Sequence, residues 1–188
     1  GMGGSIKYNM ADGISDKLHA AAISWAKEQS WADADNIFLQ GNSFGGHAAA
    51  RMYLARPELD LAGVAFVCGP LNKVFLAPPE VYAGLPAYTM DGVKTRLGLP
   101  LETTFEDLAE KMRVFSLENQ GLFEGPKIRT PLLAINNNED PVPPVDEMER
   151  LFARAGKSDV IVFDEPGHYP SHTWRRPIIA SWIEANLR

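Results

Sequence analysis

The chain of 188 residues has a single cysteine, Cys68. No internal disulfide can form. Basic residues are the minority, with 18 lysines and arginines against 24 aspartates and glutamates and a net charge of −6. The resulting pI near 5.2 excludes the basic footprint of a nucleic-acid surface. No long run of like charge stands out, and no low-complexity tract or internal repeat is present. No apolar run is long enough to span a bilayer. The first residues lack the basic-then-apolar order of a secretory signal, so the expectation is a cytoplasmic protein. The four histidines, His19, His47, His168 and His172, have no metal-ligand spacing. Gly41 to Gly46 lacks the Lys-Ser/Thr of a phosphate-binding loop. No cofactor and no metal are therefore expected. What remains is 45% hydrophobic content in a length suited to one domain.

The apolar pattern alternates between two periods. Residues 36–41, 61–67, 131–136 and 159–163 read as strands, and the unbroken apolar run at 61–67 fits a strand buried on both faces. Between them, residues 14–28, 44–55, 144–155 and 177–187 read as helices. In the first helix Ile14, Leu18, Ala21, Ala22 and Trp25 form the expected core stripe. In the last, Ile178, Ile179, Trp182, Ile183 and Leu187 do. Strand–helix alternation predicts an α/β fold, a mostly parallel sheet with helices on both faces. Residues 1–188 then form one domain. It is interrupted at about 70–128 by an insertion broken by Pro70, Pro78, Pro79, Pro86 and Pro100, with helical pieces at 80–85, 90–97 and 105–115. Of its larger apolar and aromatic residues, Phe75, Tyr82, Tyr88, Met112, Phe115 and Phe123, some are expected to roof a site.

The chemistry concentrates in Gly41-Asn42-Ser43-Phe44-Gly45-Gly46. Strand, Gly-x-Ser-x-Gly and helix in succession are the context of a nucleophile elbow. The glycines at 41 and 45 are expected to let strand and helix approach closely around a strained serine. Ser43 at a helix N-terminus would then act where amides favour developing negative charge. Asp140, in the polar loop after strand 131–136, is the candidate acid, with Glu139 as the neighbour that competes for the role. His168, after Gly167 in the loop beyond strand 159–163, is the candidate general base, with His172 as its rival. His47 lies close enough to the elbow to touch a substrate. Cys68, at the end of an apolar strand with no elbow or histidine of its own, reads as a small buried residue.

These residues resemble the α/β-hydrolases, and among them the FrsA-like esterases and their relatives that cleave carbon–carbon bonds. The matching stretches are Trp31-Ala32-Asp33, the Gly-Asn-Ser-Phe-Gly-Gly elbow, Ala62-Gly63-Val64-Ala65, and Gly69-Pro70. The insertion adds Thr95-Arg96-Leu97-Gly98-Leu99 and Phe115-Ser116-Leu117-Glu118-Asn119-Gln120-Gly121-Leu122. The resemblance implies a serine hydrolase of carboxylic esters, with Ser43, Asp140 and His168 as its triad and an acyl-enzyme intermediate. It implies a carbon–carbon bond hydrolase, or a regulatory and binding fragment without catalysis, as alternatives. It also implies a small-molecule ester or acyl substrate.

Family members carry more chain ahead of the elbow, whereas here Ser43 follows only 42 residues, and Gly1-Met2-Gly3-Gly4-Ser5 resembles a loop that follows an earlier strand in relatives. An oxyanion hole needs two backbone donors. The Phe44 amide is one, and the other is expected to be missing, which predicts weak turnover. The strand at 37–39 is likewise expected to have one open apolar edge. Either Ile6-Lys7-Tyr8-Asn9-Met10 covers it or two chains pair as a homodimer.

Overall fold

The structure, a computed structural model, describes Gly13 and residues 16–188. The expected strand cover at residues 6–10, the glycine-rich start and Ile14 lie outside the described residues. Helix α1 (Asp16–Lys27) leads to β1 (Phe38–Asn42), α2 (Phe44–Ala55) and β2 (Gly63–Val67). The insertion carries α3 (Pro79–Ala83), α4 (Ala87–Leu97) and α5 (Phe105–Met112). The chain then returns through β3 (Leu132–Glu139), α6 (Glu147–Arg154), β4 (Ser158–Pro166) and α7 (His172–Glu184). The four strands pair in chain order, β1-β2-β3-β4, and every pair is parallel. No described strand pairs with the outer edge of β1.

Alternation along the strands sorts the core into two layers. Val64, Phe66, Leu132 and Ala134 face α1, α2 and α6. Ala65, Val67, Leu133 and Ile135 face α7 through Ile179 and Trp182. Every residue of β2 is buried, because β2 is central and covered on both sides. The insertion has a third core of its own, built on Phe75, Tyr82, Met90, Leu108, Met112 and Phe115.

Two helices differ from the sequence expectation. In α1 the buried residues are Asp16, Ala20 and Ile23, while Ala21, Ala22 and Trp25 are exposed. The rotation is fixed by a carboxylate rather than by the larger apolar residues. Buried Asp16 meets Arg51 at 2.9 Å and Arg56 at 3.0 Å, and Trp25 packs edge-on against Trp31 at the surface. Helix α7 starts at His172, before residue 177. Ser171 caps it by accepting from the Thr173 amide. Pro177 falls inside, at the cost of one intrahelical bond. Leu187 lies beyond its end and is exposed.

The insertion is tied down at its stems. Asn72 Oδ1 accepts from Ser116 Oγ and from the Glu118 amide, both at 2.9 Å, so the entry to the insertion is joined directly to the segment that follows its last helix. The first stem rests on α6. The buried Glu147 carboxylate accepts from the amides of Leu71 at 3.1 Å, Asn72 at 2.8 Å and Lys73.

Candidate active site

Ser43 is the turn between β1 and α2, at φ 52° and ψ −123°. A non-glycine residue held there is strained and persists only where its surroundings fix it. They do so here: its amide donates to Val67 O at 2.9 Å and its carbonyl accepts from the His47 amide at 3.0 Å. The glycines explain how α2 crosses the sheet so closely. A Cβ on Gly41 would lie 1.9 Å from Gly45 O, and one on Gly46 would lie 2.8 Å from Gly69 Cα. A Cβ on Gly45 would meet nothing among the described residues. The requirement for small residues therefore falls on Gly41, Gly46 and Gly69, and not on Gly45 as the sequence pattern predicts. Gly45 matters through its carbonyl, which occupies the space beside Gly41.

The acid comes from the end of β3. Pairing with β4 shifts register between Asn137 and Glu139, and the irregularity turns the chain so that Asp140 points inward and Glu139 outward. The Asp140 side chain is fully buried, and its Oδ1 also accepts from the Val142 amide at 2.9 Å. His168 follows β4. Its Nε2 lies 2.7 Å from Ser43 Oγ, and its Nδ1 lies 3.0 and 3.1 Å from the two Asp140 oxygens. With a carboxylate at Nδ1 the proton sits there, and Nε2 is left to accept from the serine hydroxyl. Ser43, His168 and Asp140 thus form one hydrogen-bonded chain. His19 lies in α1. His172 is the first residue of α7, and its side chain is outside the described set.

Three residues in the site escape the sequence reading. Asn137 Nδ2 donates to Gly167 O at 2.9 Å, holding the residue before His168. Asn136 Nδ2 donates to Pro143 O at 2.9 Å, closing the loop that carries Asp140. Asn138 Nδ2 reaches Asp164 at 2.5 Å. The only signal in the chain is the run of amides itself, an unusual composition for the end of a strand. Cys68 is fully buried, at φ 48°. Burial first, and the nearby Asp140 second, push its thiol up to about 12, so it carries no thiolate chemistry.

A cavity of about 120 Å³ opens beside Ser43, walled by Phe44, Phe75, Tyr82, Met90, Val93 and Met112 among others. Of the residues expected to roof a site, Phe75, Tyr82 and Met112 do line it. Tyr88 is 81% exposed, and Phe123 packs on the main core under Arg150. His47 is buried behind the cavity, its ring against Phe44, Phe75 and Phe115. Its Nδ1 donates to Pro70 O at 3.1 Å.

Burial lowers the His47 pKa to about 4, with Arg51 adding to the effect. The unfolded chain takes up the proton near 6.5 and the folded chain only near 4. Folding stability is therefore whole above pH 6.5 and falls as pH drops toward 4, by about 3 kcal/mol in full. His47→Gln, which keeps a donor for Pro70, flattens that part of the stability–pH profile in urea titrations. An unchanged slope would show that other groups set it.

Parallel strands in this order, with the serine on a strand-to-helix turn and the carboxylate and imidazole after the next strands, define an α/β-hydrolase fold. Solved structures share it. The 2,6-dihydroxy-pseudo-oxynicotine hydrolase matches with a TM-score of 0.74 at 16% identity, over 97% of this chain and 49% of that one. The monoacylglycerol lipase of Paleococcus ferrophilus matches with a TM-score of 0.58 at 21% identity, over 91% and 73%. Identities this low speak for the fold alone.

The particular family is plain from the sequence: the chain belongs to the Esterase FrsA-like family, whose pattern matches residues 1–188. Esterase FrsA of Vibrio cholerae serotype O1 is 30% identical over 146 residues, 77% of this chain and 34% of that protein. Esterase FrsA of Photobacterium profundum is 26% identical over 188 residues, 99% of this chain and 43% of that protein. The chain thus spans well under half the length of these curated relatives.

Proposed function

We propose that this chain carries the serine-hydrolase centre of an esterase. The observation that carries the reading is the unbroken path from Asp140 through His168 to Ser43, with 2.7 Å at the serine end. Ser43 attacks the ester carbonyl while His168 Nε2 takes its proton. Asp140 holds the tautomer and stabilises the imidazolium. The Phe44 amide, the first of α2, donates to the oxyanion. His168 then protonates the leaving alcohol, and water resolves the acyl-enzyme by the same route in reverse. Phe44 is the one oxyanion donor assigned among the described residues.

The test is release of p-nitrophenol from p-nitrophenyl butanoate, together with labelling by a fluorophosphonate located by peptide mass. Covalent label on Ser43 in stoichiometric yield, blocking the turnover, supports the reading. A folded protein that neither hydrolyses the ester nor takes label at Ser43 refutes it.

A further inference from the structure

The two halves of an ester fall on different sides of Ser43. The alcohol half must lie beside His168, because that imidazole returns a proton to the leaving oxygen. The cavity opens beside Ser43 and Phe44, whose amide is the proposed oxyanion donor. Ser43 and Phe44 belong to its walls, and His168 is not among the described wall residues. The group it receives is therefore the acyl half. Its walls bear no formal charge, so a carboxylate or ammonium would enter stripped of water and unpaired, which is prohibitive. Phe75 and Tyr82, at 1% and 0% exposure, form an unyielding back wall, and the Tyr82 hydroxyl is pinned to Val74 O. Met90 and Met112 give the space some adaptability in shape.

Size follows from volume. An apolar cavity of roughly 150 Å³ holds a benzene ring. On that scale the 120 Å³ here holds about five non-hydrogen atoms. Resting on the reading of Ser43 as the nucleophile, we propose that the substrate is an ester with a small, uncharged, apolar acyl group. That group is of butanoyl to hexanoyl size and is seated in this cavity. The alcohol half stays in solvent and is read only weakly.

The experiment separates this from the hydrolase reading by measuring binding without turnover. Ser43→Ala protein is titrated with p-nitrophenyl esters from acetate to decanoate, and with alkyl butanoates from methyl to hexyl. Affinity rises about fourfold per acyl methylene up to hexanoate and then levels or falls, while the alcohol series changes by less than about fourfold in total. Val93→Phe, which fills the cavity, moves the optimum to acetate. Met90→Ala, should that variant not fold, moves it to longer chains. Affinity that climbs steadily to decanoate, or that follows the alcohol instead, overturns the proposal. The same esters are run on the unsubstituted protein. The expected acyl series with no Ser43-dependent turnover refutes the hydrolase reading and leaves the cavity assignment standing. Turnover indifferent to acyl length refutes the cavity assignment alone.

Discussion

Asp140→Asn lowers kcat for a short-chain ester by about 10⁴-fold without loss of fold, and Ser43→Ala lowers it by at least as much. The asparagine keeps the shape of the aspartate but not its chemistry. Its amide nitrogen presents a donor to His168 Nδ1, which now makes 3.0 and 3.1 Å contacts to carboxylate oxygens. The proton then moves to Nε2, and the imidazole no longer accepts from Ser43. The backbone tie from the Val142 amide at 2.9 Å survives in the amide oxygen, so the loop holds its place. The measurement is kcat near neutral pH with a thermal melt of each variant beside it. If Asp140→Asn retained more than about a tenth of the activity, His168 would not depend on this carboxylate. Exposed Glu139 would then need reconsidering.

Glu147→Ala lowers the melting temperature by about 10 °C, from a loss of about 3 kcal/mol or more. One buried carboxylate serves the amides of Leu71, Asn72 and Lys73. Leu71 and Asn72 are themselves buried, so water does not readily replace it. Each orphaned amide costs about 1–3 kcal/mol. Glu147→Gln falls between, because one oxygen still accepts while the new amide group faces donors. Differential scanning calorimetry decides the matter. Melting of both variants within about 2 °C of the parent would mean the insertion is held by its apolar core rather than by this anchor.

Much of the frame was legible because it depends on short-range pattern. The run at 61–67 is apolar throughout since β2 is covered on both faces, and strand–Ser43–helix announces itself through Gly41 and Gly45, although the close approach falls on Gly41, Gly46 and Gly69. The two acids at the end of β3 were harder to separate. Glu139 and Asp140 are adjacent, and the register shift between β3 and β4 turns one inward and the other out. Nothing local encodes that shift. The α1 face departs from its apolar periodicity because the helix is oriented by Asp16 and its arginines, a polar anchor that such periodicity ignores. Glu147 was invisible for another reason. Its partners are backbone amides more than 70 residues away, and an amide leaves no mark in a sequence. Tyr88 and Tyr82 look alike in the chain, yet one is at the surface and the other in the wall. The insertion's own core decides which.

Phe44 gives one residue two duties. Its amide is the first of the helix behind Ser43, and its ring both walls the cavity and packs with Phe75 and Phe115 in the insertion's core. With the acyl group in this cavity and the oxyanion at this amide, as proposed, acyl range and rate become coupled traits. Reshaping the insertion to admit a bulkier group shifts the ring, and with it the donor. A grafted insertion from a relative works well only when the residue after the serine is exchanged along with it.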